Sequence, residues 1–191
     1  MHGQLTVFDK LLAKIAKQLD AAQIPYMIVG GQAVLQYGEP RLTKDIDVTL
    51  GLGVDGLPKV LSLLRKLGLR CLLQSPKKFV EATYVLPAMD AESRVRVDFI
   101  FSDTSYERQS IKRSKVIVIR NQRVRFATLE DVIIQKVIAG RARDLEDVSN
   151  MLMKNPRANA RYIKKWLGEF ETALGIVLVR RFSMLITKKN T

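Results

Sequence analysis

Cysteine is almost missing from this chain: Cys71 is the only one in 191 residues. One cysteine excludes an intrachain disulfide and leaves no thiolate set for a zinc centre. Cys71 lies in the apolar run Leu69–Leu73 and reads as a small core residue. The one histidine, His2, is terminal and takes no part in the chemistry considered below. Long apolar runs are missing too. Ala173 to Val179 is the longest late in the chain, far short of the roughly 20 residues that cross a bilayer. The N-terminus lacks the charged, apolar and small-residue order of a secretory leader, so the expectation is a cytoplasmic protein with no membrane partner. No internal repeat and no low-complexity linker interrupts the sequence.

Acidic residues are the minority charge. Nineteen Asp and Glu stand against 32 Lys and Arg, for a formal charge of +13. The excess is concentrated. Residues 104–125 carry +6 and residues 154–191 carry +7, whereas 1–103 carry +2 and 126–153 carry −2. Basic blocks of this kind suit a polyanion such as nucleic acid, or else form a solvated surface that aids solubility.

What is present is a core-forming chain, 47% hydrophobic, of a length that suits one domain with at most a small appendage. Phe8, Leu11, Leu12, Ile15 and Leu19 recur at helical spacing. Pro25 precedes an apolar strand at 26–29, Gly31–Tyr37 reads as a short helix, and 44–50 as a second strand. A flexible loop at 51–56 leads to a helix over 57–67, a strand over 69–73, and a loop or short helical start at 74–78. Two strands follow, at 84–89 and 94–101, then a basic helix at 104–113. Alternation over 115–127 predicts a hairpin turning at Asn121-Gln122. Thr128-Leu129-Glu130-Asp131 resembles a capping box, and from there the pattern is all helix. The expected class is α+β: a small mixed, palm-like sheet flanked by helices over residues 1–127, followed by a C-terminal helical region over 128–191.

The chemistry concentrates in residues 26–50. The strand at Tyr26–Val29 runs into Gly30-Gly31, where the chain turns into a helix. Glycine lets backbone approach a ligand closely, and N–H groups at a helix start suit phosphate. After thirteen intervening residues come Asp45-Ile46-Asp47-Val48. Alternate residues of a strand share a face, so Asp45 and Asp47 project together while Ile46 and Val48 turn inward. Paired carboxylates repel unless a cation lies between them. Asp98, alternating with Val97 and Phe99 on a later strand, supplies a third carboxylate. Three strand-borne carboxylates beside a phosphate cradle predict a site for two Mg²⁺ ions, with Mn²⁺ as a substitute.

These residues resemble the polymerase-beta-like nucleotidyltransferase superfamily, whose signature is an apolar-Gly-[Gly/Ser] step followed by Asp-x-[Asp/Glu] and a later third Asp. Arg41-x-Thr43-x-Asp45-Ile46-Asp47, and Arg143-Asp144-Leu145-x-Asp147-Val148 after a helix bearing Lys136, are similar to small prokaryotic members, both minimal nucleotidyltransferases and abortive-infection type toxins. The resemblance covers about residues 24–150. It implies transfer of a nucleoside monophosphate from an NTP to an acceptor hydroxyl, with release of pyrophosphate. Asp45, Asp47 and Asp98 would be the catalytic metal ligands. Gly30, Gly31, Arg41, Thr43 and Lys136 would bind the nucleotide, although Thr43 reads more as a structural residue. Asp144 and Asp147 would support Lys136 or the acceptor, or simply favour a helix start. The acceptor would be an RNA or tRNA end, a protein side chain, or a small antibiotic-type molecule, and a cognate regulatory protein would accompany a toxin. A different class of function is a catalytically inactive module of the same fold that binds nucleic acid or a partner. One departure is Gly31, which stands where many members have Ser and offers only its amide. Tyr162 and Trp166, in a basic helical stretch, read as packing residues before base-stacking ones.

Overall fold

The computed structural model describes residues 6–40, 42–102 and 104–187. The chain divides into two compact units. One holds the chain up to Gln32 together with Thr43–Ala127, the other Ala33–Leu42 together with the chain from Thr128 onward.

The first unit is built on a mixed sheet of seven strands among the described residues, in the order β3-β4-β5-β2-β1-β7-β6. The strands are β1 (Tyr26–Val29), β2 (Asp45–Leu50), β3 (Leu69–Cys71), β4 (Val85–Asp90), β5 (Arg96–Phe101), β6 (Lys115–Ile119) and β7 (Gln122–Phe126). β1 is buried at every position, as a strand covered on both faces must be. It runs antiparallel to β2, while β2 and β5 are parallel. Helix α1 (Val7–Ala21) opens with a full capping box between Thr6 and Asp9 and buries Leu11, Leu12, Ile15, Ala16 and Leu19. Helix α2 (Gly30–Val34) follows β1 directly. Helix α3 (Leu57–Leu67) starts with proline in its first turn, buries Val60, Leu63, Leu64 and Leu67, and ends on Gly68. Helices α4 (Pro76–Thr83) and α5 (Ser105–Arg113) complete the unit.

Three local expectations are sharpened. The stretch 74–78 leads into α4, where Val80 is buried. The loop at 51–56 contains a 3₁₀ turn over Val54–Gly56. The β6–β7 hairpin turns one residue earlier than the alternation predicts, because Ile119 pairs with Gln122. Arg120 and Asn121 have φ of 51° and 61°, and two successive positive φ values make the tight turn that follows the strand twist.

The second unit is helical from α6 (Leu129–Ala139) through α7 (Ala142–Lys154), α8 (Ala160–Leu174) and α9 (Val179–Thr187). Residues 33–42, which the sequence pattern groups with the sheet, belong here by their bonds. Asn155 Nδ2 donates to the Tyr37 carbonyl at 2.9 Å, and Lys154 Nζ reaches the Gly38 carbonyl at 3.1 Å and Glu39 at 2.8 Å. The region 158–186, expected to be mostly helical, is two helices. Gly175 ends α8, and Glu171 accepts from the Leu178 and Val179 amides at 2.6 and 2.9 Å to start α9. Among the described residues no helix is long and apolar enough to cross a membrane.

Candidate active site

The sheet register gathers the three aspartates. Asp47 on β2 pairs with Asp98 on β5, and Asp45 pairs with Arg96. Partners in register share a face of the sheet, so Asp45, Asp47, Arg96 and Asp98 all project from one side. The intervening Ile46, Val48, Val97 and Phe99 are fully buried on the other. The alternation that makes β2 and β5 half-apolar thus aims the carboxylates.

Gly30 meets this face from β1. Val29 pairs with Asp47, and Gly30 has φ of +60°. A Cβ built on Gly30 would fall 1.8 Å from Asp47 Oδ2. No side chain fits there, and the left-handed backbone also favours glycine. The first glycine of the pair therefore serves the carboxylate directly: its backbone lies against Asp47. Gly31 is buried in the first turn of α2.

Arg96 is the feature that sequence reasoning missed. Its Nε donates to both oxygens of Asp98, at 2.9 and 3.1 Å. The arginine pKa is raised by the hydrogen bond to Asp98, against desolvation, and by the negative charge of Asp98, Asp45 and Asp47. All three carboxylates thus act on one guanidinium. The signal was present in Arg94-x-Arg96-x-Asp98, which puts Arg96 on the face of Asp98. Among the described residues no three Asp, Glu, His or Cys side chains are gathered tightly enough to hold a metal ion as they stand. Asp98 instead holds Arg96.

Of the remaining candidates, Thr43 is buried, and its hydroxyl accepts from Gln32 Nε2 at 2.8 Å. That bond ties Gln32, in the first turn of α2, to the residues entering β2. Arg41 lies outside the described residues. Lys136, Asp144 and Asp147 form a cluster within the helical unit. The Lys136 ammonium lies 2.6 Å from Asp144 and 2.9 Å from Asp147, and all three side chains are buried. Arg141 caps the group, its Nε donating to Asp144 at 2.6 Å. Burial works against the charged form of Asp144, yet the hydrogen bonds from Lys136 and Arg141 hold its pKa below the ordinary value. Arg143 reaches the Leu42 carbonyl at 3.5 Å. Trp166 is buried, and the Tyr162 hydroxyl donates to Asp131 at 2.9 Å. Both are engaged in helix packing.

The family model described as "nucleotidyltransferase of unknown function (DUF6036)" matches residues 3–167. No match was found among curated proteins. Several solved structures share the fold. The antibiotic-resistance factor ANT(2″)-Ia, solved with adenylyl-2″-tobramycin, is 18% identical with a TM-score of 0.60, over 88% of this chain and 99% of that one. An antigenic nucleotidyltransferase-like protein from Paracoccidioides brasiliensis is 16% identical with a TM-score of 0.57, over 88% and 90%. The lincosamide antibiotic adenylyltransferase LnuA, solved with lincomycin, is 14% identical with a TM-score of 0.50, over 78% and 98%. At such identities the likeness is one of fold. The family match spans most of the chain, so the chain belongs to the DUF6036 family of nucleotidyltransferases of unknown function.

Proposed function

We propose that the protein moves a nucleoside monophosphate from an NTP to an acceptor hydroxyl, releasing pyrophosphate, at the face bearing Asp45, Asp47 and Asp98. The observation that carries this reading is the β2–β5 register, which sets Asp47 beside Asp98 with Asp45 on the same face. The donor set fits Mg²⁺ or Mn²⁺, since it consists of hard carboxylate oxygens on rigid strands. Asp45, Asp47 and Asp98 would hold the ions. Bound there, divalent metal would polarise the phosphates and lower the pKa of the attacking hydroxyl.

The chain's own contribution is positional. The Gly30 backbone lies against Asp47, so triphosphate can approach that carboxylate without a side chain between them. The Gly31 amide adds a donor for phosphate. Asp98 accepts the hydroxyl proton once it no longer holds Arg96. Thr43, bonded to Gln32, fixes the strand entry and hence Asp45. Arg41 and Lys136 stay among the nucleotide-binding candidates on the resemblance alone. Asp144 and Asp147 take the supporting role, holding the Lys136 ammonium in one place.

For the acceptor we favour RNA. The +6 block at 104–125 and the +7 block at 154–191 suit a polyanion, whereas a cationic antibiotic would want acidic walls. A protein hydroxyl is the second acceptor class, and a toxin paired with a regulatory protein is the setting in which it would arise. The test is incubation with each labelled NTP, Mg²⁺, total RNA and total protein. Label should enter RNA with release of pyrophosphate, and Asp45→Ala should abolish it. If no NTP is bound or consumed under any condition, the enzyme reading fails and the inactive binding module replaces it.

A further inference from the structure

Three like charges on one sheet face need compensation whenever no metal is bound. Arg96 supplies it. Its Nε spans both oxygens of Asp98, and its guanidinium feels Asp45 and Asp47 as well. The arrangement is asymmetric in exposure: the arginine side chain is 51% accessible, the Asp98 side chain 16%. The carboxylate is held by its strand while the long, largely exposed arginine is free to swing away. Asp98 is also the aspartate farthest in sequence from the Gly-Gly step, so its capture breaks the triad without disturbing Asp47 on Gly30.

We propose that Arg96 is an internal counter-cation that competes with divalent metal for Asp98 and so sets the metal affinity of the site. The inference rests on the reading above that the three aspartates bind metal. In the metal-free state Arg96 neutralises part of the cluster and keeps Asp98 in a fixed rotamer. Metal entry requires the two N–H···O contacts to be given up. Arg96 acts through Asp98, which makes it a positioning residue. Its removal should tighten metal binding and loosen the metal-free protein, a combination that a purely structural arginine would not produce.

The experiment is Mn²⁺ binding to metal-stripped protein, read from the electron paramagnetic resonance signal of free Mn²⁺ and from the thermal midpoint with and without metal. Arg96→Gln should bind Mn²⁺ about tenfold more tightly, since a hydrogen bond between charged groups is relinquished only by the wild type. The variant should show a lower midpoint without metal and a larger rise on adding it. Arg96→Lys keeps the charge but lacks the Nε donor, so it should fall between. If Arg96→Gln is too unstable to purify, the Arg96→Lys comparison decides alone. Adding Asp98→Asn to Arg96→Gln should remove the gain. Unchanged or weaker Mn²⁺ binding in the folded variants overturns the role of Arg96 and leaves the nucleotidyl-transfer reading intact. Absence of Mn²⁺ binding in wild type and variants alike overturns both.

Discussion

At the scale of single residues, Gly30 and Asp47 are one unit. The glycine is required because its Cβ would coincide with the Asp47 carboxylate and because its φ is +60°. Gly30→Ala therefore combines a left-handed backbone cost of about 1–2 kcal/mol with displacement of the carboxylate. Displacement by an ångström is enough to reduce turnover roughly 10²-fold. Urea unfolding and a pyrophosphate-release assay on the same preparation should show both effects, whereas Gly31→Ser, at the position where many members of the superfamily it resembles have serine, should keep activity. Asp47→Asn separates chemistry from folding. It removes the charge that would hold metal while keeping the size of the side chain, so the unfolding midpoint should change little while nucleotidyl transfer falls by about 10²–10³-fold or more. Equal loss of stability and activity would contradict that assignment.

At the scale of elements, the α6–α7 pair is held by an ion-pair cluster inside a helical unit. Lys136 projects from α6, and Asp144 and Asp147 from α7, and none is exposed to more than a tenth. Removing one member of such a group leaves buried charge uncompensated. Lys136→Ala should cost about 3–5 kcal/mol in chemical denaturation, more than any lost packing of its stem. The pH dependence follows from Asp144. Its folded pKa is depressed, so the stability it contributes is present above the ordinary value of 3.8 and is lost as pH falls through the lower folded value. Acid titration of the unfolding free energy should fall below pH 3.8 in the wild type, and Asp144→Asn should flatten that limb. Arg181 supports the same helix pair from α9, donating to the Val137 carbonyl at 2.8 Å beside Gly140, where α6 ends.

At the scale of the whole molecule, the +13 charge makes a prediction that no single site makes. If RNA is the acceptor, binding measured by filter retention should weaken steeply with salt, by about 10³–10⁵ between roughly 50 and 200 mM if six to ten phosphates are contacted. Salt-independent binding, or none at low salt, removes the polyanion reading. Organisation into two units also bears on how much of the fold was legible. The onset of the helical unit at Thr128 could be read locally, because a capping residue followed by acidic residues precedes a helical period. The membership of residues 33–42 could not, because it depends on Asn155 and Lys154, more than a hundred residues later.

The sequence by itself determined the elements that carry the candidate site. Glycine at a strand end, carboxylates two residues apart and an alternating Val-Asp-Phe strand are local signals, and period-two alternation decides which side chains share a face. Only the tertiary structure decided which strands are neighbours. It put β5 next to β2 in the register that opposes Asp47 with Asp98, laid Asp47 on Gly30, and brought Arg96 onto Asp98. The hairpin register shows the same limit at short range, since moving the two-residue turn by one position shifts every cross-strand pair by two residues. Which strand lies beside which is settled by packing over the whole core, and no window of neighbouring residues holds that information.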